Sequence, residues 1–437
     1  MENKVTPRIL QGFVELLPAD QLAFEDMKGK IENVYKRFGF VPLDTPTLEY
    51  SEVLLAKAGG ETEKQIYRFN HHDTDVSLRF DLTVPLARYV AQHFPDLSFP
   101  FKRYQISKSF RGERPQKGRF REFYQCDIDV IGSDSLDLCY DAEMTAAINT
   151  VFTEFDIGDF VIRINNRKIL TGFFGSLGLG DITADVMRTI DKMPKIGAEK
   201  TQEELTKLGV SAEALEKINE FTSIKGTNPE KIAALRALCT DETFTVGTNE
   251  LEKVISLASA LGVPEKNLEI DLSIVRGLDY YTGTVYETFI VGHENFGSVC
   301  SGGRYDDLAG FYTDKKLPGV GASIGLSRLF AQLRENGIIE PTKRTTAEVL
   351  VLPTSGDRFA YTAKAAEALR AAGIATDVYW SDRSLKAKFK YADKAGVKYV
   401  AVIGDSEEAE GRISLRRMDG GEQLSVTTEQ AIKLMKK

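Results

Sequence analysis

Lys102-Arg103-Tyr104-Gln105-Ile106-Ser107-Lys108-Ser109 and Phe120-Arg121-Glu122-Phe123-Tyr124-Gln125-Cys126-Asp127-Ile128-Asp129-Val130-Ile131 are the two runs on which the fold turns. Both alternate polar and apolar residues, the period of a strand with one buried face. Between them Gly112-Glu113-Arg114-Pro115-Gln116-Lys117-Gly118 supplies a turn, so two antiparallel strands joined by a long basic loop are expected. Residues 101–121 carry eight basic side chains (Lys102, Arg103, Lys108, Arg111, Arg114, Lys117, Arg119, Arg121) against one acid, Glu113. A solvated surface is the plain explanation of such a run. Here Phe110, Phe120, Phe123 and Tyr124 are interleaved with the charges, so the segment packs on a core and points arginines at something anionic. Asp127 and Asp129 share one face of their strand, while Ile128 and Val130 take the other for the core. That leaves the aspartates lining a cleft.

Working outward, residues 21–38 read as an amphipathic helix with Leu22, Met27, Ile31, Val34, Tyr35 and Phe38 on one face, closed by Gly39. Phe40-Val41-Pro42 to Pro46 is extended, because each proline keeps its predecessor out of the helical region. Residues 134–155 are expected to be helical. Residues 171–262 are charged, helical in period and broken at Gly209, Gly226 and Pro229, the pattern of an all-helical insertion. Strand character returns at 268–275, 284–291 and 319–324, and a helix follows over 325–335. A polar stretch at 336–346 marks a boundary. Beyond it Val349-Leu350-Val351-Leu352, a helix at 358–372, a strand at 376–379, a helix at 384–394 and Tyr399-Val400-Ala401-Val402-Ile403 alternate, which predicts a small α/β domain with a mostly parallel sheet. The expected division is a domain over 1–340 and another over 346–437.

Composition narrows the class. A chain of 437 residues with 42% apolar and 27% charged residues is globular and has more than one domain. No run of about 18 apolar residues offers a bilayer span, and the polar N-terminal stretch has no signal-peptide core. The formal charge of −8 does not exclude a nucleic-acid partner, because binding depends on local patches. Cys126, Cys139, Cys239 and Cys300 lie far apart with no C-x-x-C pair, which suits reduced, mostly buried thiols in the cytoplasm. His71, His72, His93 and His293 lack metal-ligand spacing, so no protein-borne metal and no histidine catalyst are expected.

Several segments, in order, resemble the motifs of class II aminoacyl-tRNA synthetases. The first helix with Pro42 and Thr45-Pro46-Thr47-Leu48-Glu49 resembles motif 1, which builds a dimer interface in that class. Phe110-Arg111-Gly112-Glu113-Arg114 leading into Arg119-Phe120-Arg121-Glu122-Phe123 resembles motif 2. Gly319-Val320-Gly321-Ala322-Ser323-Ile324-Gly325-Leu326-Ser327-Arg328-Leu329 resembles motif 3, with Ser327 where the pattern often has Glu. Val275-Arg276-Gly277-Leu278-Asp279-Tyr280-Tyr281-Thr282-Gly283 and Gly302-Gly303-Arg304-Tyr305-Asp306 resemble the two blocks specific to histidyl-tRNA synthetases. Leu78-Arg79-Phe80-Asp81-Leu82-Thr83-Val84-Pro85 completes the set in its Asp-Leu-Thr form. Residues 384–404 resemble an anticodon-binding domain that several of these enzymes share.

The resemblance implies an α+β catalytic domain on an antiparallel sheet with a helical insertion, plus a C-terminal α/β anticodon-binding domain. It implies a cytoplasmic homodimeric aminoacyl-tRNA ligase that activates L-histidine with ATP and Mg2+ and passes it to tRNA(His). Both reactants of the first step are anionic, so charge must be neutralised as it redistributes. Arginine suits this, since its fork holds two oxygens and never deprotonates. Arg111, Arg276 and Arg328 are the implied catalytic arginines, with Glu113 and Arg119 joining Arg111 and Arg328 around ATP. Asp81, Thr83 and Gln125 are implied for the α-amino group; Asp129, Tyr280, Tyr281 and Tyr305 for the rest of histidine. Asp81 is one methylene shorter than the glutamate of the other branch, so its contact is expected to run through water. Arg114, Gln116 and Lys117 are implied for the acceptor end of tRNA. Lys386, Lys390 and Lys394 form a basic helical stripe implied for the anticodon, with Leu385, Phe389 and Ala392 as the packed face. Gly297, Gly302 and Gly303 are either a hairpin turn or backbone lying close under the ligand. Two rivals remain: a synthetase-like regulatory subunit of ATP phosphoribosyltransferase, and a class II synthetase for proline, threonine or glycine.

Overall fold

The computed structural model describes residues 5–56, 60–114, 118–191, 193–274 and 281–436. The chain divides into two compact units, Met1–Val14 with Lys28–Ile338 and Glu15–Met27 with Ile339–Lys437. In chain order the strands of the first unit are β1 (Val41–Pro42), β2 (Leu48–Tyr50), β3 (Arg68–His71), β4 (Thr74–Leu78), β5 (Phe101–Phe110), β6 (Glu122–Ile131), β7 (Phe160–Asn166), β8 (Leu268–Ile270), β9 (Thr284–Ile290), β10 (Cys300–Tyr305) and β11 (Gly319–Ile324). Eight of them form one sheet in the order β1-β5-β6-β11-β10-β9-β7-β8, and β2-β4-β3 form a small second one. The large sheet is antiparallel through its middle and parallel only where β1 meets β5 and β8 meets β7.

The two strands of the opening stretch pair as expected, but their polar face is buried as well, with Arg103, Gln105, Asp127 and Asp129 all enclosed. β5 and β6 pair from Phe101↔Ile131 to Phe110↔Glu122, and Cys126, Ile128 and Val130 are fully buried beneath them. The helix Cys139–Phe155 adds Met144, Val151 and Phe152 to the same core. That helix begins later than the expected residue 134. Asp134 sits at φ 64°, which an α-helix cannot include, and the Asp137 carboxylate accepts the Cys139 N–H at 2.8 Å. Arg304 of β10 is anchored to this helix by a buried two-oxygen pair with Asp141.

The helical insertion has a topological reason. Parallel neighbours cannot be joined by a tight turn, and the helices from Arg167–Ser176 to Glu242–Ala260 are the crossover from β7 to β8. Its first and last helices cross closely: a Cβ on Gly172 would lie 2.3 Å from Phe244 N, and one on Gly247 would lie 2.7 Å from Ile169 N. The edge of β8 is covered by the insertion, since Asn228 donates to Leu268 O and accepts from Ile270 N, each at 2.8 Å.

The second unit carries β12 (Val349–Pro353), β13 (Thr376–Val378), β14 (Tyr399–Ile403), β15 (Ile413–Arg417) and β16 (Gln423–Val426), ordered β13-β12-β14-β15-β16. Val349 and Val351 face one buried cluster, Leu350 and Leu352 another, so β12 is covered on both sides. The sheet is mixed rather than mostly parallel: β15 and β16 run antiparallel, because the five residues 418–422 between them are too few for a crossover. On the helix Leu385–Ala395, Lys386, Lys390 and Lys394 are exposed. Leu385 is 38% exposed and is not part of the packed face; Lys388 is, at 1% exposed, with its Nζ donating to Pro353 O at 2.6 Å. The four cysteines are free thiols, with Cys126 and Cys300 buried, Cys239 half-buried and Cys139 exposed, so burial is less general than expected.

Candidate active site

Along β6 the side chains of Gln125, Asp127 and Asp129 fall on one face of the sheet. Strand register places each beside a chosen partner. Asp129 lies level with Arg103 of β5 and Gly321 of β11, and Asp127 with Gln105 and Ser323. The glycines of β11 make the room. A Cβ at Gly321 would sit 2.1 Å from Asp129 Oδ1, and one at Gly319 would sit 2.3 Å from the Tyr305 ring. Gly-x-Gly in the sequence is therefore space for a carboxylate and a phenol.

The Tyr305 hydroxyl donates to Asp129 Oδ1 at 2.7 Å, and Arg103 Nη2 lies 2.6 Å from Asp129 Oδ2. Gln125 Nε2 donates to Ser323 Oγ at 3.1 Å, and Ser323 Oγ in turn donates to Asp127 Oδ1. Gln125 Oε1 is buried with no hydrogen-bond partner among the described residues, an acceptor left for a ligand. Burial pushes the Asp127 carboxyl up to about 7 and the Asp129 carboxyl up to about 6, against the pull of Arg103 on both. Asp81 stands just before the helix Thr83–Gln92 and caps it, its Oδ1 accepting from Thr83 N at 3.0 Å and Val84 N at 2.9 Å.

The other end of the cleft is basic. Arg111 stacks between two rings, its guanidinium carbon 4.4 Å from the Phe80 centroid and 5.0 Å from that of Phe123, with Nε donating to Phe80 O at 3.2 Å. Arg328, in the first turn of the helix Leu326–Glu335, donates to Phe296 O. Ser327 has a use of its own, accepting the Tyr124 N–H at 2.8 Å and tying this helix to β6. Arg119 pairs with Glu113 at 3.3 Å.

These residues enclose one cleft of about 410 Å³, lined among others by Asp81, Thr83, Arg111, Glu113, Arg119, Gln125, Asp127, Asp129, Tyr281, Tyr305 and Arg328. A cleft of this size suits a small-molecule ligand. Among the groups that line the cleft, Asp127 and Asp129 lie toward the end of β6 and Arg111 beside its start, with the Glu113–Arg119 pair also in the lining. Arg114 is exposed and does not line the cleft, while Lys386, Lys390 and Lys394 belong to the second unit. Arg276, Tyr280, Gln116 and Lys117 lie outside the described residues.

Two expectations change. Gly302 and Gly303 are not a hairpin turn; they sit inside β10. Their missing side chains admit protein neighbours, since a Cβ on Gly302 would be 2.2 Å from Gly321 O and one on Gly303 2.9 Å from the Tyr281 ring. The other is Arg103, Asp127 and Ser323, which had no assigned role. Asp127 was legible as a cleft acid, but its link to Ser323 crosses 196 positions and depends on register.

Against protein-family models the chain matches the histidyl-tRNA synthetase family over residues 12–329 and an anticodon binding domain over residues 348–437. A histidine–tRNA ligase of Clostridium tetani is 55% identical over 434 residues, covering 99% of this chain and 98% of that protein. The crystal structure of a histidyl-tRNA synthetase from Nostoc sp. superposes with a TM-score of 0.93 at 42% identity, covering 99% of this chain and all of that one. A Bacillus halodurans protein described as an ATP phosphoribosyltransferase regulatory subunit/histidyl-tRNA synthetase shares the fold at a TM-score of 0.74 and 20% identity, over 88% of this chain.

Proposed function

Since the chain belongs to the histidyl-tRNA synthetase family, we propose that this cleft is divided between an acid end for histidine and a basic end for ATP. The chain is an aminoacyl-tRNA ligase. It activates L-histidine with ATP, releasing pyrophosphate, and transfers the histidyl group to the 3′ end of tRNA(His). The observation that carries the division is the separation of Asp127 and Asp129 from Arg111 along β6, because a substrate with a cationic amine and N–H donors fits the acids and a triphosphate fits the arginines.

At the acid end Gln125 Oε1 and the second oxygen of Asp81 receive the α-amino group beside Thr83. Oδ1 of Asp81 is spent on its helix cap, which supports a water-bridged contact for this short side chain. Asp129, Tyr281, Tyr280 and Tyr305 read the imidazole. A polar pocket of this kind rejects isosteres, because an unmatched ligand leaves buried groups unpaired. At the basic end Arg111 holds the α-phosphate and the histidine carboxylate. Its stacking between Phe80 and Phe123 supports that role, since a guanidinium oriented beforehand needs no reorganisation when charge develops. Arg328 meets the distal phosphates with the help of its helix N-terminus, Arg119 and Glu113 border ATP, and Arg276 approaches the α-phosphate. Mg2+ enters on the phosphates of ATP; among the described residues no cluster of three or more His, Cys, Asp or Glu forms a protein cage for it.

The transfer step needs tRNA. Arg114, Gln116 and Lys117 meet its acceptor end, and Lys386, Lys390 and Lys394 its anticodon arm. The enzyme works in the cytoplasm as a two-fold dimer. Support for the dimer comes from exposed apolar side chains on the motif 1 strands, Val41 at 48%, Leu48 at 47% and Tyr50 at 61%. A monomer mass in solution scattering, with activity retained, would contradict it. The activity itself is tested by ATP–pyrophosphate exchange across the twenty amino acids. Histidine alone should support it. Exchange with proline or threonine points to another class II specificity, and exchange with none points to a regulatory subunit.

A further inference from the structure

Arg103 is fully buried, yet two of its three side-chain nitrogens, Nε and Nη1, have no hydrogen-bond partner among the described residues. Only Nη2 is engaged, with Asp129 Oδ2 at 2.6 Å and Leu82 O at 3.3 Å. For stability alone this is a poor arrangement. A buried ion pair recovers its desolvation cost only when its remaining donors are satisfied, and an apolar pair of similar volume is often as good. The arrangement makes sense if Asp129 must be charged. Burial works most strongly against that, and Asp81 ahead of the helix Thr83–Gln92 and Asp127 on the same strand are further acids, while Arg103 and the Tyr305 hydroxyl favour the charged form. Tyr305 on β10 gives Asp129 its one hydroxyl proton, and Tyr281 lines the same cleft without a charge.

We infer that Arg103 is a positioning residue for histidine recognition, closing the buried side of Asp129 so that this carboxylate stays ionised, fixed in orientation and able to accept the ring N–H of the ligand. This rests on the reading of Asp129 as the group that meets the imidazole. With Tyr305 on one oxygen and Arg103 on the other, the carboxylate cannot rotate away, and its remaining lone pairs are offered to the cleft. A protonated Asp129 would instead present a donor to a donor. Removal of the guanidinium raises the Asp129 carboxyl further above the value of about 6 it has with Arg103 present. Between the old midpoint and the new one, the wild type is ionised and the variant is not.

The experiment is the pH dependence, from pH 6 to 9, of the histidine KM in ATP–pyrophosphate exchange for wild type, Arg103→Met, Arg103→Lys, Asp129→Asn and the Arg103→Met/Asp129→Asn pair. Arg103→Met should raise the histidine KM by about tenfold near pH 7, since a carboxyl lifted from about 6 to about 8 falls from about nine-tenths to about one-tenth ionised at that pH. The gap should narrow toward pH 9, with the ATP KM within about twofold of wild type. Arg103→Lys keeps a charge without the fork, so its acid limb should move in the same direction by less; this variant carries the test if Arg103→Met fails to fold. In the Asp129→Asn background the Arg103 change should add nothing. A histidine KM raised equally at every pH, or raised together with the ATP KM, overturns the inference and leaves Arg103 as scaffold. If Asp129→Asn itself leaves the histidine KM unchanged, it is the reading of Asp129 that fails.

Discussion

Four arginines in the cleft and core of the first unit are held, whereas the lysine stripe of the second unit stands in water. Arg111 is clamped between two aromatic rings, Arg328 is hydrogen-bonded to a carbonyl, Arg304 is paired to a buried aspartate, and Arg103 is sealed behind Asp129. Lys386, Lys390 and Lys394 are exposed along one helix. The difference is one of entropy and dielectric. A held arginine in a partly dry cleft has already been oriented and acts strongly on charge that develops in a transition state. A solvated lysine contributes mainly a salt-screened attraction to phosphate. The first arrangement suits chemistry and the second suits docking of a large polyanion.

That contrast can be broken at its deepest point first. Asp141→Ala strips Arg304 of its partner in the core, and removal of one member of a buried pair costs about 3–5 kcal/mol. Urea unfolding should show the midpoint lowered by a corresponding amount; a change within experimental error would mean that Arg304 finds solvent easily and is not held. Next comes Arg276→Ala. If this side chain meets charge on the α-phosphate, adenylate formation should slow by roughly 100- to 1000-fold, the scale of one lost preorganised donor. Transfer from preformed adenylate should be largely spared, and Arg276→Lys should recover only part of the loss. Equal loss in both steps with a lower melting temperature would make it structural.

The second unit should respond more gently. Changing Lys386, Lys390 and Lys394 together to Ala should leave histidine-dependent exchange intact and raise the KM for tRNA by about tenfold at physiological salt. The dependence of that KM on salt should become shallower, because fewer counterions are released. An unchanged salt slope would move the tRNA contact elsewhere on this unit. The smallest expected effect is at Ser327, whose hydroxyl accepts one backbone N–H from β6. Ser327→Ala should cost about 1 kcal/mol in stability, the usual net value of one hydrogen bond, with exchange kinetics nearly unchanged.

The same contrast explains what could be read from the chain beforehand. Period-two alternation made the β5–β6 hairpin, its buried Ile128 and Val130 and its cleft-facing Asp127 and Asp129 legible, because those facts are local. The helical insertion was legible for the same reason, through its period and its breaks. Strands of two or three residues such as β1 and β2 are too short to show a period, and they pair with partners far along the chain. Arg103 was counted as one more positive charge in a basic run. Its burial follows from register with Asp129, 26 positions away. Lys388 was passed over because a lysine inside a basic helix reads as solvated, although its long stem can cross a layer to reach Pro353 O. Motif resemblance pointed to Arg111, Arg328 and Tyr305, and those three do line one cleft; it also drew attention to Arg304, whose side chain alternates to the opposite face and joins the helix layer.

The measurement closest to the centre of this account is a single-turnover comparison of adenylate formation and tRNA transfer in Arg111→Ala and in the triple lysine variant. The held arginine should lose about 100-fold or more in the rate of adenylate formation and far less in transfer from preformed adenylate. The lysine variant should form adenylate at the wild-type rate and weaken only in its dependence on tRNA concentration. Arg111→Ala with normal adenylate formation, or a lysine variant equally impaired in that first step, would contradict the assignment of chemistry to the cleft and docking to the second unit.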